Sequence, residues 1–171
     1  MPGTCSRVAI AALAILGACA TSADVIEDSL TTPESIQAAT LGAIRFDYAR
    51  WTNRDDKDIA KAKEHEAGWS KALGDAFLAQ IRERGLGSGE NRTPVDITIV
   101  DLDPGSQAAR AWVGFGAGTG SITALVEPST HGSFRINGKI TGGSWGGRFE
   151  DVMATLGETI ADHLADRAQK K

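Results

Sequence analysis

The chain has 171 residues, with 18 lysines and arginines against 22 aspartates and glutamates, for a formal charge of −4. This length gives room for one domain with a real core, and without a dense basic stripe the charge balance argues against a nucleic-acid partner. Its two cysteines, Cys5 and Cys19, precede all the elements predicted below, so the body of the chain holds no disulfide, cysteine-ligated metal or cysteine nucleophile.

Residues 1–18 read as an export signal. Val8 to Leu16 is unbroken apolar sequence, shorter than the roughly 20 residues that span a bilayer as a helix and suited to a signal-peptide core. Arg7 is the only charge ahead of it. The core ends in Leu16-Gly17-Ala18-Cys19, which resembles a lipobox: an aliphatic residue, two small residues that let the extended backbone enter the lipoprotein signal peptidase, then a thiol that takes diacylglycerol. Cleavage is expected between Ala18 and Cys19, leaving the chain held on a membrane by lipid on Cys19. Ala20 stands where, in enteric-type sorting, an aspartate would favour the inner membrane, so the expected location is the outer membrane, facing the periplasm. From Ala20 to about Thr40 the sequence is polar, carries Pro33 and has few large apolar residues. This predicts a tether over residues 19–40 and a single periplasmic domain over 41–171.

The domain's elements follow in order. Ile44, Phe46 and Tyr48 alternate with Arg45 and Asp47, the period of a half-buried strand. From Asp58 to Arg84, Trp69, Leu73, Phe77 and Ile81 recur every four residues, which predicts a long amphipathic helix stopped by Gly85. After a glycine-containing loop, Val95, Ile97 and Ile99 mark a second strand, closed by a turn at Asp103-Pro104-Gly105. Ser106 to Val113 is expected to form one short helical segment. Ile122 to Val126 and Phe134 to Ile140 predict a hairpin, and Phe149, Val152, Met153, Leu156, Ile160 and Leu164 follow the rhythm of a closing helix. The predicted order is β-α-β-(short α)-β-β-α, an α/β or α+β fold with two main helices packed on a small mixed sheet.

One stretch carries a resemblance. Asp101 to Arg110, followed by Ala111-Trp112-Val113-Gly114-Phe115-Gly116-Ala117-Gly118, is similar to the motif of the domain-of-unknown-function 4410 lipoproteins, with Arg110, Gly114, Phe115, Gly116 and Gly118 filling the motif positions. The likeness runs to about Leu164, while the amino-terminal half agrees only in layout. Such domains are similar in element order to the periplasmic domains of curli-secretion-type lipoproteins and to the amino-terminal domain of the Tol-system propeller protein. That fold-level analogy implies no function.

The residue patterns argue against several chemistries. Gly114, Gly116, Gly118 and Gly120 step by two and fit no dinucleotide or phosphate-loop register, so backbone geometry is their expected role and no cofactor is expected. Thr141 to Gly147 reads as a loop leading into the last helix. His65, His131 and His163 lack metal-site spacing, Asp101 and Asp103 read as turn residues, and Asp55, Asp56 and Asp58 read as an acidic helix start, so no metal is expected. Ser88 and Ser144 lie in glycine loops without a nucleophile elbow. The expectation is a non-enzymatic envelope lipoprotein that binds another envelope protein or supports an assembly. The rival is a periplasmic enzyme or small-ligand binder with a pocket near the glycine-rich loops.

Overall fold

The computed structural model describes residues 20–52, 56–103, 119–141 and 149–169. They form five strands and two α-helices: β1 (Ala20–Asp28), β2 (Ala39–Phe46), α1 (Asp56–Glu83), β3 (Thr93–Asp103), β4 (Thr119–Pro128), β5 (Phe134–Thr141) and α2 (Phe149–Gln169), with a 3₁₀ turn at Pro33–Ser35. The sheet order is β1-β5-β4-β3-β2. The pair β2–β3 is parallel and the other three pairs are antiparallel. The predicted fold class therefore holds, with one addition.

That addition corrects the reading of residues 19–40 as a tether. Ala20–Asp28 is an edge strand paired with β5 from Ala20↔Thr141 to Asp28↔Phe134. Beyond it, Leu30, Ile36, Ala38 and Ala39 are buried, and Ser29 and Thr31 donate backbone hydrogen bonds to Ser133 and His131 in the hairpin loop. The strand was obscured in the sequence because its inward positions are Thr21, Ala23 and Val25, small residues that resemble a polar linker. A bulge between Val25 and Glu27 interrupts the register and leaves Ile26 59% exposed, an irregularity that makes an edge harder to extend with another strand.

The inner face of the sheet is built by period-two alternation. Val95, Ile97 and Ile99 of β3, Ile122, Ala124 and Val126 of β4, and Phe134 and Ile136 of β5 are all completely or almost completely buried. Against them α1 brings Leu73, Phe77 and Ile81, and α2 brings Val152, Met153, Leu156, Ile160 and Leu164. Two glycines let these layers close. A Cβ on Gly138 of β5 would lie 2.8 Å from Val152 Cγ1, and one on Gly157 of α2 would lie 2.4 Å from the carbonyl oxygen of Leu73.

The helices run parallel, shown by matched contacts along their length: Gly157 faces Leu73, Gln80 donates to Asp162 at 2.8 Å, and Arg84 pairs with Asp162 and Asp166. Gly85 ends α1 as expected. It adopts a φ of +80°, and the N–H groups of Gly85 and Leu86 return to the carbonyls of Arg82 and Ile81, a Schellman cap. The predicted β4–β5 hairpin is also present, its loop passing through Gly132 at a φ of +81° where a side chain would meet the Ser29 carbonyl. The expected turn at Pro104-Gly105 and the expected short helix from Ser106 to Val113 lie outside the described residues.

Candidate functional site

The topology brings the element ends that flank much of the chain's distinctive sequence to one end of the sheet. There β1 starts, β3 ends at Asp103, β4 starts at Thr119, β5 ends at Thr141 and α2 starts at Phe149. The segment with the motif residues Arg110, Gly114, Phe115, Gly116 and Gly118 is therefore joined to this end on both sides, as are residues 142–148. Cys19 is covalently next to it. These motif residues, with Ala18 and Cys19, lie outside the described residues themselves.

The same end holds an aromatic cluster. Tyr48 sits 4.7 Å from Trp51 and 6.1 Å from Phe46, ring centre to ring centre. Trp69 sits 5.4 Å from Phe149 and 6.4 Å from Phe46, with His65 stacked on it at 5.7 Å. Trp51 and Trp69 are buried, so the cluster acts as packing that fixes the mouth of the fold. The Tyr48 hydroxyl donates to the Glu66 carboxylate, and the Lys63 ammonium lies 5.3 Å from the centre of the Tyr48 ring. Burial first, then the Glu66 carboxylate, pushes the Tyr48 phenol far above its ordinary value, so it stays neutral across physiological pH. Beside it, Asp101 accepts from the backbone and hydroxyl of Thr52 at 2.9 and 3.0 Å and from the Leu102 N–H. Asp101 thus serves to tie the loop after β2 to β3.

The opposite end carries a charged clasp. The Asp28 carboxylate, at the end of β1, lies 3.1 Å from His163 Nε2 and 3.1 Å from Arg167 Nε, and it accepts the Leu30 N–H at 3.0 Å. The Arg167 contact is an ion pair without hydrogen-bond geometry at Nε. Phe134 packs against the imidazole at 4.7 Å. Desolvation pulls His163 below its ordinary value of 6.5 and outweighs Asp28, which opposes it; Arg167 lowers it further and Asp166 raises it.

A histidine depressed in the folded state leaves more protons on the unfolded chain. Its stabilising effect is therefore complete above 6.5 and is lost as pH falls through the lower folded value. Melting temperature is expected to drop on acidification over that window, and His163→Gln should flatten the slope there. Identical acid slopes for the two proteins would refute the assignment.

The other two histidines have separate surroundings. His65 stacks on Trp69, and His131 Nδ1 lies 3.4 Å from Ser35 Oγ. Among the described residues no three of histidine, cysteine, aspartate and glutamate converge as a metal site. α1 starts at Asp56, consistent with the acidic helix start read from the sequence. Ser88 is exposed, and Ser144 lies outside the described residues.

The open face of the sheet carries a row of side chains across all five strands: Glu27, Arg135, Leu125, Thr98 and Arg45 are successive register partners. Arg135 pairs with Glu27 at 3.5 Å. Next to this row, Asp96 accepts from the Ala43 N–H at 2.8 Å and pairs with Arg45 at 3.0 Å, and these contacts hold its carboxyl below the usual range. Gly42 is needed there because a Cβ would collide with Asp96 Oδ1. Asp96 and Glu127, with Pro94 and Ser129, line an open recess of about 300 Å³. It lies on the open face towards the clasp end, away from the strand ends that flank the glycine-rich segments.

The family described as a domain of unknown function, DUF4410, matches residues 28–161. The chain belongs to the DUF4410 family. The matched span begins at the last residue of β1 and ends in α2, so it takes in strands β2 to β5 and the glycine motif. No curated protein matches the DUF4410 chain. Among solved structures it is distantly similar to the PelC dodecamer from Paraburkholderia phytofirmans, with 13% identity and a TM-score of 0.43 over 86% of this chain and 99% of that one. A point variant of the same dodecamer gives 11% identity and a TM-score of 0.41 over 88% and 100%.

Proposed function

We propose that this DUF4410 chain is a bacterial envelope lipoprotein, anchored through Cys19 to the outer membrane and facing the periplasm, whose domain is a non-enzymatic binding or assembly module. The observation that carries the reading is the meeting of the lipobox with the fold. Leu16-Gly17-Ala18-Cys19 is followed at once by Ala20, the first residue of β1. Cleavage before Cys19 would therefore remove the apolar segment and leave the sheet whole.

The binding role is supported by the shape of the layers. Both helices stand on one face of the sheet, and the other face presents the row from Glu27 to Arg45, with opposite charges and a central Leu125. Mixed polar and apolar rows of this kind suit a protein partner.

The test is cross-linking and capture from native membranes with the lipidated chain as bait. One envelope protein is expected to be enriched, and Leu125→Asp with Arg135→Glu should reduce its capture at least tenfold while leaving the melting curve in place. Equal capture by the double variant, together with a specific thermal shift from an envelope metabolite, would favour the enzyme or small-ligand reading instead.

A further inference from the structure

The position of β1 decides how such an anchored domain can meet its membrane. Cys19 and Ala20 are consecutive, so their Cα atoms are about 3.8 Å apart, and Ala20 is already paired with Thr141 in the sheet. With no tether, a lipid on Cys19 brings the start of β1 to the headgroup layer. The helices do not end at that level. Thr21 Oγ1 lies 2.9 Å from Thr155 Oγ1, and Gly157 faces Leu73, so the start of β1 is level with Lys71 of α1. Asp56 lies fifteen residues earlier in the same helix, a projection of roughly 22 Å at the helical rise per residue.

Among the described residues, a flat surface touching Cys19 meets either the β1–α2 flank or the projecting shaft of α1. Charge separates these choices. β1 carries Asp24, Glu27 and Asp28 and no lysine or arginine, while α2 carries five carboxylates against Arg167 alone among lysines and arginines. Phosphate-bearing headgroups repel that flank. The shaft of α1 sets Lys57, Lys61 and Lys63 against Asp56, Asp58, Glu64 and Glu66, a single carboxylate in excess, and exposed Ala60, Ala67 and Gly68 permit close approach.

We infer that the membrane-facing surface of the domain is the projecting shaft of α1, Asp56–Gly68, resting on phospholipid headgroups with the β1–α2 flank turned away. The inference rests on the lipid anchor at Cys19. It leaves the open sheet face and the Asp28 clasp directed towards the periplasm.

Once Cys19 is acylated and Cys5 removed, the mature chain has no free thiol, so single cysteines can be spin-labelled cleanly. The experiment places labels at Lys61→Cys, Glu158→Cys and Thr130→Cys, all exposed positions, on the full lipidated protein. The vesicles contain phosphatidylethanolamine and phosphatidylglycerol with a nickel-chelating lipid. The label at position 61 is expected to relax several-fold faster than those at 158 and 130. A lipidated protein in which position 158 or 130 is relaxed as strongly as 61 would overturn this orientation while leaving the anchor intact. A protein whose mass lacks diacylglycerol would overturn both.

Discussion

Gly157→Val is expected to destabilise the domain by roughly 3 kcal/mol, the upper end for overpacking a closed core. The reason is that the first atom added has nowhere to go. A Cβ at this position would lie 2.4 Å from the Leu73 carbonyl oxygen and 2.9 Å from the Phe77 nitrogen, both backbone atoms of α1. Neither can rotate aside, so the helices must separate and open the core they share. Alanine makes the sign of the effect diagnostic. Helix propensity alone favours alanine over glycine by about 1 kcal/mol, yet the same contact should make Gly157→Ala a net loss. Gly68→Ala supplies the contrast, since nothing lies within 4 Å of its missing Cβ, and there propensity should win. Chemical unfolding of a soluble chain beginning at Ala20 measures all three. A stabilised Gly157→Ala would refute the close parallel packing of α1 and α2.

Leu156→Asp should unfold the same chain outright. Leu156 is fully buried, and the position of a Cβ on Gly138 shows how closely its side chain is pressed onto β5. A carboxylate there must be buried without a partner or take up a proton, at a cost of about 4 kcal/mol or more on top of the lost packing. That is most of the stability of a marginal domain. The neighbouring exposed Glu158 serves as the control, because Glu158→Gln should stay within about 0.5 kcal/mol of the wild type. Circular dichroism reads both, and a folded, cooperatively melting Leu156→Asp would contradict the placement of α2 on the sheet.

What could be read from the sequence tracks how large the buried side chains are. Trp69, Leu73, Phe77 and Ile81 announced α1, and Val152, Met153, Leu156 and Ile160 announced α2, because long apolar residues at helical spacing leave few alternatives. The hairpin was equally visible in Ile122 to Val126 and Phe134 to Ile140. β1 was not, since an edge strand needs only a modest inner face and Thr21, Ala23 and Val25 provide no more than that. Gly157 gave no warning either: a glycine within a helical pattern reads as a weak helix former, and only the crossing of a second helix makes it indispensable. The clasp is invisible locally for a different reason. Asp28 and His163 are 135 residues apart in the chain, and no spacing rule joins them. The recess at Asp96 and Glu127 depends in the same way on the β3–β4 register.

The role of the glycine motif remains tied to its attachment point. The strand residues that flank the motif, Asp103 of β3 and Thr119 of β4, lie at the end of the sheet where β1 begins. The aromatic cluster of Phe46, Tyr48, Trp69 and Phe149 packs there too. The shared position of these strand ends follows from strand direction, because β3 runs towards that end and β1 starts from it.

The anchor at Cys19 is the central claim, and the intact mass of the chain extracted from bacterial membranes tests it most directly. The predicted result is the mass of residues 19–171 plus diacylglycerol and any further acyl group, with the lipid absent from Cys19→Ser. A full chain of residues 1–171, or an unlipidated chain beginning at any other residue, would contradict it.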